Sequence, residues 1–353
     1  MKSKLLILLS FLFLTACSTI EIEEYAIIAG IGIDYQDEMY IVSYEIYEDN
    51  QGEVTSISSY TIKGIGKDVG GAIISTEQKI EQESYLNHCR VVVLSETIIN
   101  EQLSDVMNFL VHDPRMRSLE YIVISKGISP YDLFNKEKKE KVLSMQLYKD
   151  IKKNRGVAGI YDNCKFVTIA NSIQNKRRAL VIPTITYDDV IIFTGAKVFN
   201  CCKLKKEITS EEVFIIQILD NLLKKGLTSL NDESIFIKSF KSNKKYKNNI
   251  IIINFYFNIL SYDKSKYNLS SIDEEEAFIN DFNEMITKET SKVLKEYQEN
   301  EIDPFGIIDY IFDFHPLIFK KQKEIFEFYK QLDFKINVYT KIITTGFIER
   351  NME

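Results

Sequence analysis

YAIIAGIGID, residues 25–34, is apolar from Ala26 to Ile33 and rich in isoleucine. Such a run is typical of a β-strand in the core of a protein. Gly30 and Gly32 lie inside it, and glycine in the middle of a strand indicates that another part of the chain approaches the backbone closely. The segment therefore predicts a core strand that is tightly packed at both glycines.

The chain after this segment mixes strand patterns with helix patterns. Residues 39–47 (MYIVSYEIY) are rich in β-branched and aromatic side chains, which predicts a half-buried strand. Residues 273–299 carry apolar side chains at helical spacing and predict a long amphipathic helix. Strands and helices do not alternate regularly, so the sequence predicts an α+β fold of mixed β-sheets with packed helices. At 353 residues the chain is long enough for two to three domains.

A boundary between two patterned blocks is predicted near residue 187. Pro183 and the turn-forming Tyr187-Asp188-Asp189 separate the strands of the first block from the run VIIFTGAKVF that opens the second. The sequence thus predicts a signal peptide over residues 1–17, an N-terminal α+β region over 18–187 and a C-terminal α+β domain over 188–353.

The beginning of the chain has the order of an export signal. Lys2 and Lys4 precede a short apolar core that ends in Leu-Thr-Ala-Cys17. This core is too short to cross a bilayer as a helix, since crossing takes about 20 residues. Its end is similar to a bacterial lipobox, which implies that Cys17 is acylated and becomes the N-terminus, so that lipid tethers the protein to the membrane. The alternative is an ordinary cleaved signal with an incidental cysteine.

Composition excludes several classes of function. The chain has 51 acidic and 44 basic residues, a formal net charge of −7. Such an acidic protein does not suit nucleic acid, because lysine and arginine drive binding to phosphates. Only three histidines occur, and none has a partner at metal-site spacing; Cys-x-x-Cys pairs and nucleophile motifs are absent. The sequence therefore predicts no metal, no cofactor and no catalysis.

Basic residues cluster in three short segments. The lysine-rich residues 241–247 lie between the strand-like residues 235–240 and 249–260 and are predicted as a turn. Residues 175–178 and 203–206 are predicted as solvated loops. Contact of these two with lipid headgroups or with an acidic partner is the alternative.

Asp303-Pro304-Phe305-Gly306 predicts a rigid corner at the start of a helix. Pro304 suits the first helical turn, which makes Asp303 the predicted N-cap. Glycine in a helix start is unfavourable by up to about 1 kcal/mol against alanine, so a neighbour should need the missing side chain of Gly306. Two interpretations stay open: packing of this corner against the preceding long helix, or a contact of Asp303, Phe305 and Gly306 with a partner protein.

The order of these motifs resembles the Ger(x)C family, the lipoprotein C subunits of spore germinant receptors. The lipobox comes first, and the family's Gly-Ile-Gly-x-Asp strand is matched by Gly30 to Asp34. Further similar segments follow in the family's order: residues 85–96, 109–117, 195–199, 303–306, 315–316 and 338–346. The chain departs from the family in having no tryptophan and in having His112 where arginine is usual.

The resemblance implies an α+β protein on the outer face of the cytoplasmic membrane, which is the inner membrane of the spore. It implies assembly with two integral membrane subunits, so that small-molecule nutrients trigger germination. The alternative is an extracytoplasmic lipoprotein that itself binds a solute or acts on the cell wall. That alternative predicts a polar pocket with a cluster of titrating groups.

Overall fold

The computed structural model describes residues 24–48, 58–116, 120–136, 142–230, 233–261, 272–320 and 324–343. Over these ranges two mixed β-sheets are packed with helices, which confirms the predicted α+β class. Cys17 with its lipobox lies outside the described residues, and so do Thr345 and Gly346 near the end of the resemblance.

The larger sheet has nine described strands, in the order β3-β2-β1-β5-β6-β7-β8-β9, with β4 beside β1. β1 pairs antiparallel with β2 and parallel with β5, and parallel pairing continues through β6 to β7. The strands are β1 Tyr25–Gln36, β2 Met39–Glu48, β3 Ser58–Gly66, β4 Glu83–Tyr85, β5 Val91–Ser95, β6 Tyr121–Ser125, β7 Leu180–Asp188, β8 Val190–Asn200 and β9 Lys203–Ile208.

The smaller sheet has the order β10-β11-β12-β13. Its strands are β10 Gly226–Leu230, β11 Glu233–Lys247, β12 Ile250–Ser261 and β13 Asp333–Ile342. β12 pairs antiparallel with β11 and parallel with β13. The connection from β12 to β13 includes the longest described helix.

The described helices are α1 Val69–Glu77, α2 Glu101–His112, α3 Pro130–Phe134, α4 Leu143–Lys153, α5 Phe166–Asn175, α6 Ser210–Leu219, α7 Ile272–Glu299, α8 Ile307–Phe314, α9 Pro316–Phe319 and α10 Ile325–Lys330. In α7 the buried side chains recur at helical spacing, for example Phe278, Phe282 and Ile286. The predicted long amphipathic helix is thereby confirmed.

The two glycines of β1 mark close approaches, as the sequence predicts. A Cβ on Gly30 would overlap the hydroxyl of Ser144 in α4, and a Cβ on Gly32 would overlap the hydroxyl of Ser43 in β2. Every residue from Ile28 to Ile33 is buried, because β1 lies inside the larger sheet with helices near it. Only glycine lets neighbouring elements come this near to a strand.

The predicted boundary near residue 187 falls in a hairpin of the larger sheet. β7 and β8 pair antiparallel across it, with Asp188 opposite Val190. One apolar cluster joins Val181 of β7 and Val198 of β8 to Phe255 of the smaller sheet. The limits 18–187 and 188–353 stay a prediction; on either side of them the chain shares strand pairing and core.

The basic segments differ from the sequence prediction. Residues 241–247 continue β11 to Lys247, and the reversal comes at Asn248 and Asn249, both with positive φ. The predicted turn is wrong because the segment is a strand paired with the isoleucine run of β12, with Lys241, Lys245 and Lys247 on one face and Lys244 on the other. Residues 203–206 likewise lie in β9 and not in a loop.

Candidate functional site: the buried junction at residues 303–306

The corner at residues 303–306 connects α7 to α8 and is buried. Asp303 and Phe305 are both 0% exposed. The helix begins at Ile307, with Gly306 as its N-cap in a left-handed conformation at φ 66°. The predicted N-cap at Asp303 is therefore wrong by three residues. Its carboxylate nevertheless accepts hydrogen bonds from the amides of Phe305 at 3.1 Å and Ile308 at 2.7 Å.

Phe305 packs into the core that both sheets share. Its ring meets the ring of Tyr297 from α7 edge-on, with 5.3 Å between the ring centres. Both side chains belong to the apolar cluster that includes Val181 and Phe255. The packing interpretation accounts for this burial, whereas a contact of Phe305 with a partner stays a prediction.

Arg178 reaches the corner from the segment between α5 and β7. Its guanidinium donates to the carbonyl of Pro304 at 3.1 Å and forms an ion pair with Asp220, which follows α6. A Cβ on Gly306 would lie 3.1 Å from Arg178 Nη1. Glycine is therefore required at position 306 for two reasons: the positive φ disfavours other residues, and the guanidinium leaves little room for a side chain.

Lys244 reaches the same corner from β11. Its ammonium donates to the carbonyl of Phe305 at 2.8 Å, while its own carbonyl accepts from the hydroxyl of Tyr310 in α8 at 3.0 Å. The carbonyl of Asp303 accepts from the amide of Ala179 at 2.9 Å. The corner therefore joins parts of the chain that lie on both sides of the predicted boundary.

Burial changes the acidity of the two charged side chains inside the junction. It raises the pKa of Asp303 to about 6, although the amides it accepts from and the charges of Lys244 and Arg178 act in the opposite direction. Burial also lowers the pKa of Lys244, against the attraction of Asp220 and Asp303. A buried acid is tolerable here because amides and cations surround it.

The chemistry of this arrangement is that of a clamp. Its charged groups pair with one another and with backbone carbonyls and amides, and the one hydroxyl in the contacts described, that of Tyr310, donates to the carbonyl of Lys244. Among the described residues no group of three His, Cys, Asp or Glu side chains is placed to hold a metal ion. The arrangement can fix the relative position of α8, β7 and β11.

A groove between α6 and α7 has a volume of about 450 Å³. Buried apolar side chains line it, among them Ile215 and Ile286. Lys206 of β9 crosses it between Glu212 and Glu296, with 2.6 Å to each carboxylate. Sequence reasoning missed this groove because α6 and α7 are separated by three β-strands in the chain.

The described residues include no helix that is long and apolar enough to span a membrane. Of their four cysteines, Cys201 is exposed and the other three are buried, all as free thiols. Acylation of Cys17, which lies outside the described residues, stays a prediction.

Comparisons with known proteins place the chain in a family. The family profile described as "Spore germination protein N-terminal domain" matches residues 18–187, and the profile described as "Spore germination B3/ GerAC like, C-terminal" matches residues 194–346. No curated protein sequence matches the chain significantly.

A solved structure has the same fold. The crystal structure of the GerBC protein matches with a TM-score of 0.56 over 89% of this chain and 97% of that chain, at 19% sequence identity. At this identity the likeness shows the fold alone, and the two profiles carry the assignment. Together they span most of the sequence, so the chain belongs to the Ger(x)C family of spore germination proteins, the C subunits of germinant receptors.

Proposed function

We propose that this chain is anchored by lipid on Cys17 to the outer face of the cytoplasmic membrane, the inner membrane of the spore. The observation that carries the proposal is that the N-terminal family match starts at residue 18, directly after the lipobox cysteine. A family match that begins directly after the processed cysteine suits a protein whose first residue holds the acyl chains. Two acyl chains give a stable anchor, whereas one alone binds a membrane only marginally.

We further propose that the anchored chain assembles with two integral membrane subunits and that small-molecule nutrients trigger germination through this complex. The subunit itself performs no catalysis in this proposal. Support comes from the family and from the junction, whose charged groups are committed to holding α8, β7 and β11 together. Such a clamp keeps a binding surface in one shape.

Asp303, Phe305 and Gly306 enter the proposal as residues on which partner contact depends. They fix the start of α8. Exposed apolar side chains follow further along: Phe314, the last residue of α8, is 69% exposed, and Leu317 in α9 is 75% exposed. An exposed apolar pair on a rigid support suits a contact with a membrane protein.

Affinity purification from spores tests the anchor and the complex together. The full chain should fractionate with membranes and bring down two polytopic membrane proteins. Cys17→Ala should release the protein or leave an unprocessed precursor, while Cys201→Ala, an exposed cysteine outside the lipobox, should behave as the wild type. A mature, membrane-bound Cys17→Ala protein would contradict the anchor, and purification without polytopic partners would contradict the complex.

The groove between α6 and α7 favours a second candidate function, the binding of a small solute by this subunit. Its volume of about 450 Å³ falls within the range of ligand sites, and it combines an apolar lining with charged groups. Amino acids, sugars and nucleosides screened by thermal shift test this candidate. A stabilising compound should lose its effect in Ile215→Trp, which fills the groove; if no compound stabilises the protein, the candidate fails.

A further inference from the structure

β12 has one face in the core and one face outside it. Ile251, Ile253 and Phe255 are fully buried, and Phe257 and Ile259 continue the row. The residues between them point to the opposite side, because successive side chains of a strand alternate. Those outward residues, from Ile252 to Leu260, are half-buried or exposed.

The strand register extends this outward side over three strands. Asn254 lies between Asn243 of β11 and Asn337 of β13. The side-chain amide of Asn254 donates to Asn243 at 2.7 Å, and that of Asn337 donates to Asn254 at 2.8 Å. A row of hydrogen-bonded amides fixes the middle of the surface.

The next row carries aromatic rings. Tyr256 lies between Lys241 of β11 and Tyr339 of β13. The two tyrosine rings stack, with 5.2 Å between centres and 14° between planes, and they remain 44% and 52% exposed. Tyrosine has an apolar ring and a polar tip, a combination that suits the boundary between water and an apolar phase.

Lysines surround these two rows. Lys241, Lys245, Lys335 and Lys341 are exposed and lie on the outward side of β11 and β13, and we call them, with Tyr256 and Tyr339, the open face. In the part of the chain that the structure describes, none of these four lysines forms an ion pair. Lys247 and Asp333 both lie beside Ile250 at the end of the face, and their opposite charges cancel there. The open face is thus locally basic on a protein whose formal net charge is −7.

We propose that the open face docks on the headgroup layer of a membrane that contains anionic lipid. The charges are complementary, because the open face is basic and the headgroup layer is anionic, and the paired strands present the lysines side by side. All four cations are lysines, whereas protein interfaces favour arginine and are depleted in lysine. Lysine and tyrosine are the side chains that accumulate at membrane surfaces. A second copy of the chain does not fit, because two such faces would repel each other.

This inference rests on the proposed membrane location and adds an orientation to it. The anchor at Cys17 holds the chain near the bilayer, and the open face would turn one side of the smaller sheet toward it. Each lysine close to an anionic surface strengthens binding roughly fivefold at moderate salt. Three of them together should therefore contribute roughly a hundredfold.

Vesicle binding tests the proposal on the full chain carrying Cys17→Ala, so that no acyl chain contributes. Vesicles of phosphatidylcholine alone are compared with vesicles that also contain phosphatidylglycerol, and the ratio of the two affinities is measured. The triple variant Lys241→Gln, Lys245→Gln, Lys335→Gln should lower this ratio roughly a hundredfold. The control Lys67→Gln, Lys149→Gln, Lys153→Gln removes the same charge from exposed positions of the larger sheet's half and should keep the wild-type ratio.

Circular dichroism melts establish that both triple variants fold as the wild type. The preference for anionic vesicles should weaken steeply as salt rises, since exposed charges are screened over about 10 Å at 0.1 M. An unchanged ratio in the open-face variant, or an equal loss in the control, would overturn the proposal. So would open-face-dependent binding to soluble polyglutamate without binding to vesicles, which would assign the face to an acidic protein. The vesicle result does not depend on receptor assembly, so it can fail while co-purification succeeds, and the reverse.

Discussion

Replacing Phe305 by alanine tests whether packing holds the junction together. The side chain is 0% exposed and its ring lies edge-on to Tyr297. Truncating a fully buried phenylalanine costs about 3–5 kcal/mol, of which part is lost transfer free energy and part is the cavity left behind. The walls of that cavity are tied down, since Lys244 is bonded to the carbonyl of the same residue. The site can therefore collapse little, and the loss should lie in the upper part of this range.

Urea unfolding of the full chain carrying Cys17→Ala, followed by far-ultraviolet circular dichroism, measures this loss. Phe314→Ala is the matched control, because it removes the same ring from a side chain that is 69% exposed. Its free energy of unfolding should stay within about 0.5 kcal/mol of the parent. A loss below about 1 kcal/mol in Phe305→Ala, or one equal to that of the control, would refute the packing argument. Normal stability with failed co-purification would instead favour direct partner contact.

Three further predictions concern the same region and the predicted boundary. Burial raises the pKa of Asp303 from 3.8 to about 6, so the folded protein holds this proton more tightly than the unfolded chain does. The free energy of unfolding of the wild type, relative to that of Asp303→Asn, should therefore fall by about 3 kcal/mol as the pH rises through this window. Urea titrations at several pH values measure it, and a difference that does not change with pH would contradict the prediction. Gly306→Ala should lower the free energy of unfolding by about 1 kcal/mol or more beyond the loss in Gly127→Ala. Both glycines have positive φ, but only Gly306 is crowded by Arg178. Equal losses of stability in urea would show that the crowding has no effect. Residues 188–353 expressed alone should aggregate, since β8 would lose its pairing with β7 and expose a sheet edge; a soluble, cooperatively melting fragment would show that this half is independent.

The sequence predicted β1 and α7 correctly, because the pattern that determines each of them lies within its own residues. The isoleucines of β1 and its two glycines predicted both the strand and its close neighbours, since an apolar run and a missing Cβ have few other uses. The helical spacing of Phe278 and Phe282 predicted α7 for the same reason.

Contacts between distant residues could not be predicted in this way. Lys244 looks like one more lysine of a solvated run, yet its ammonium lies against the carbonyl of Phe305, 61 residues away. Asp303 looks like an N-cap, but Gly306 takes that position and the acid is placed by Arg178 and Ala179 from far upstream. The open face escaped notice because lysines that alternate along one strand resemble a polar turn until the neighbouring strands are known.

The parallel pairing of β12 with β13 has a consequence for the order in which the protein folds. β12 ends at Ser261 and β13 begins only at Asp333, so the last partner of the smaller sheet leaves the ribosome long after β12 is complete. Until then the isoleucine-rich β12 presents an unpaired edge, which is a template for aggregation. The hydrogen bond from Arg178 to the carbonyl of Pro304 joins residues 126 positions apart, so it also forms late. Chains that stall or are cleaved ahead of β13 should therefore be the species that chaperones and proteases must remove.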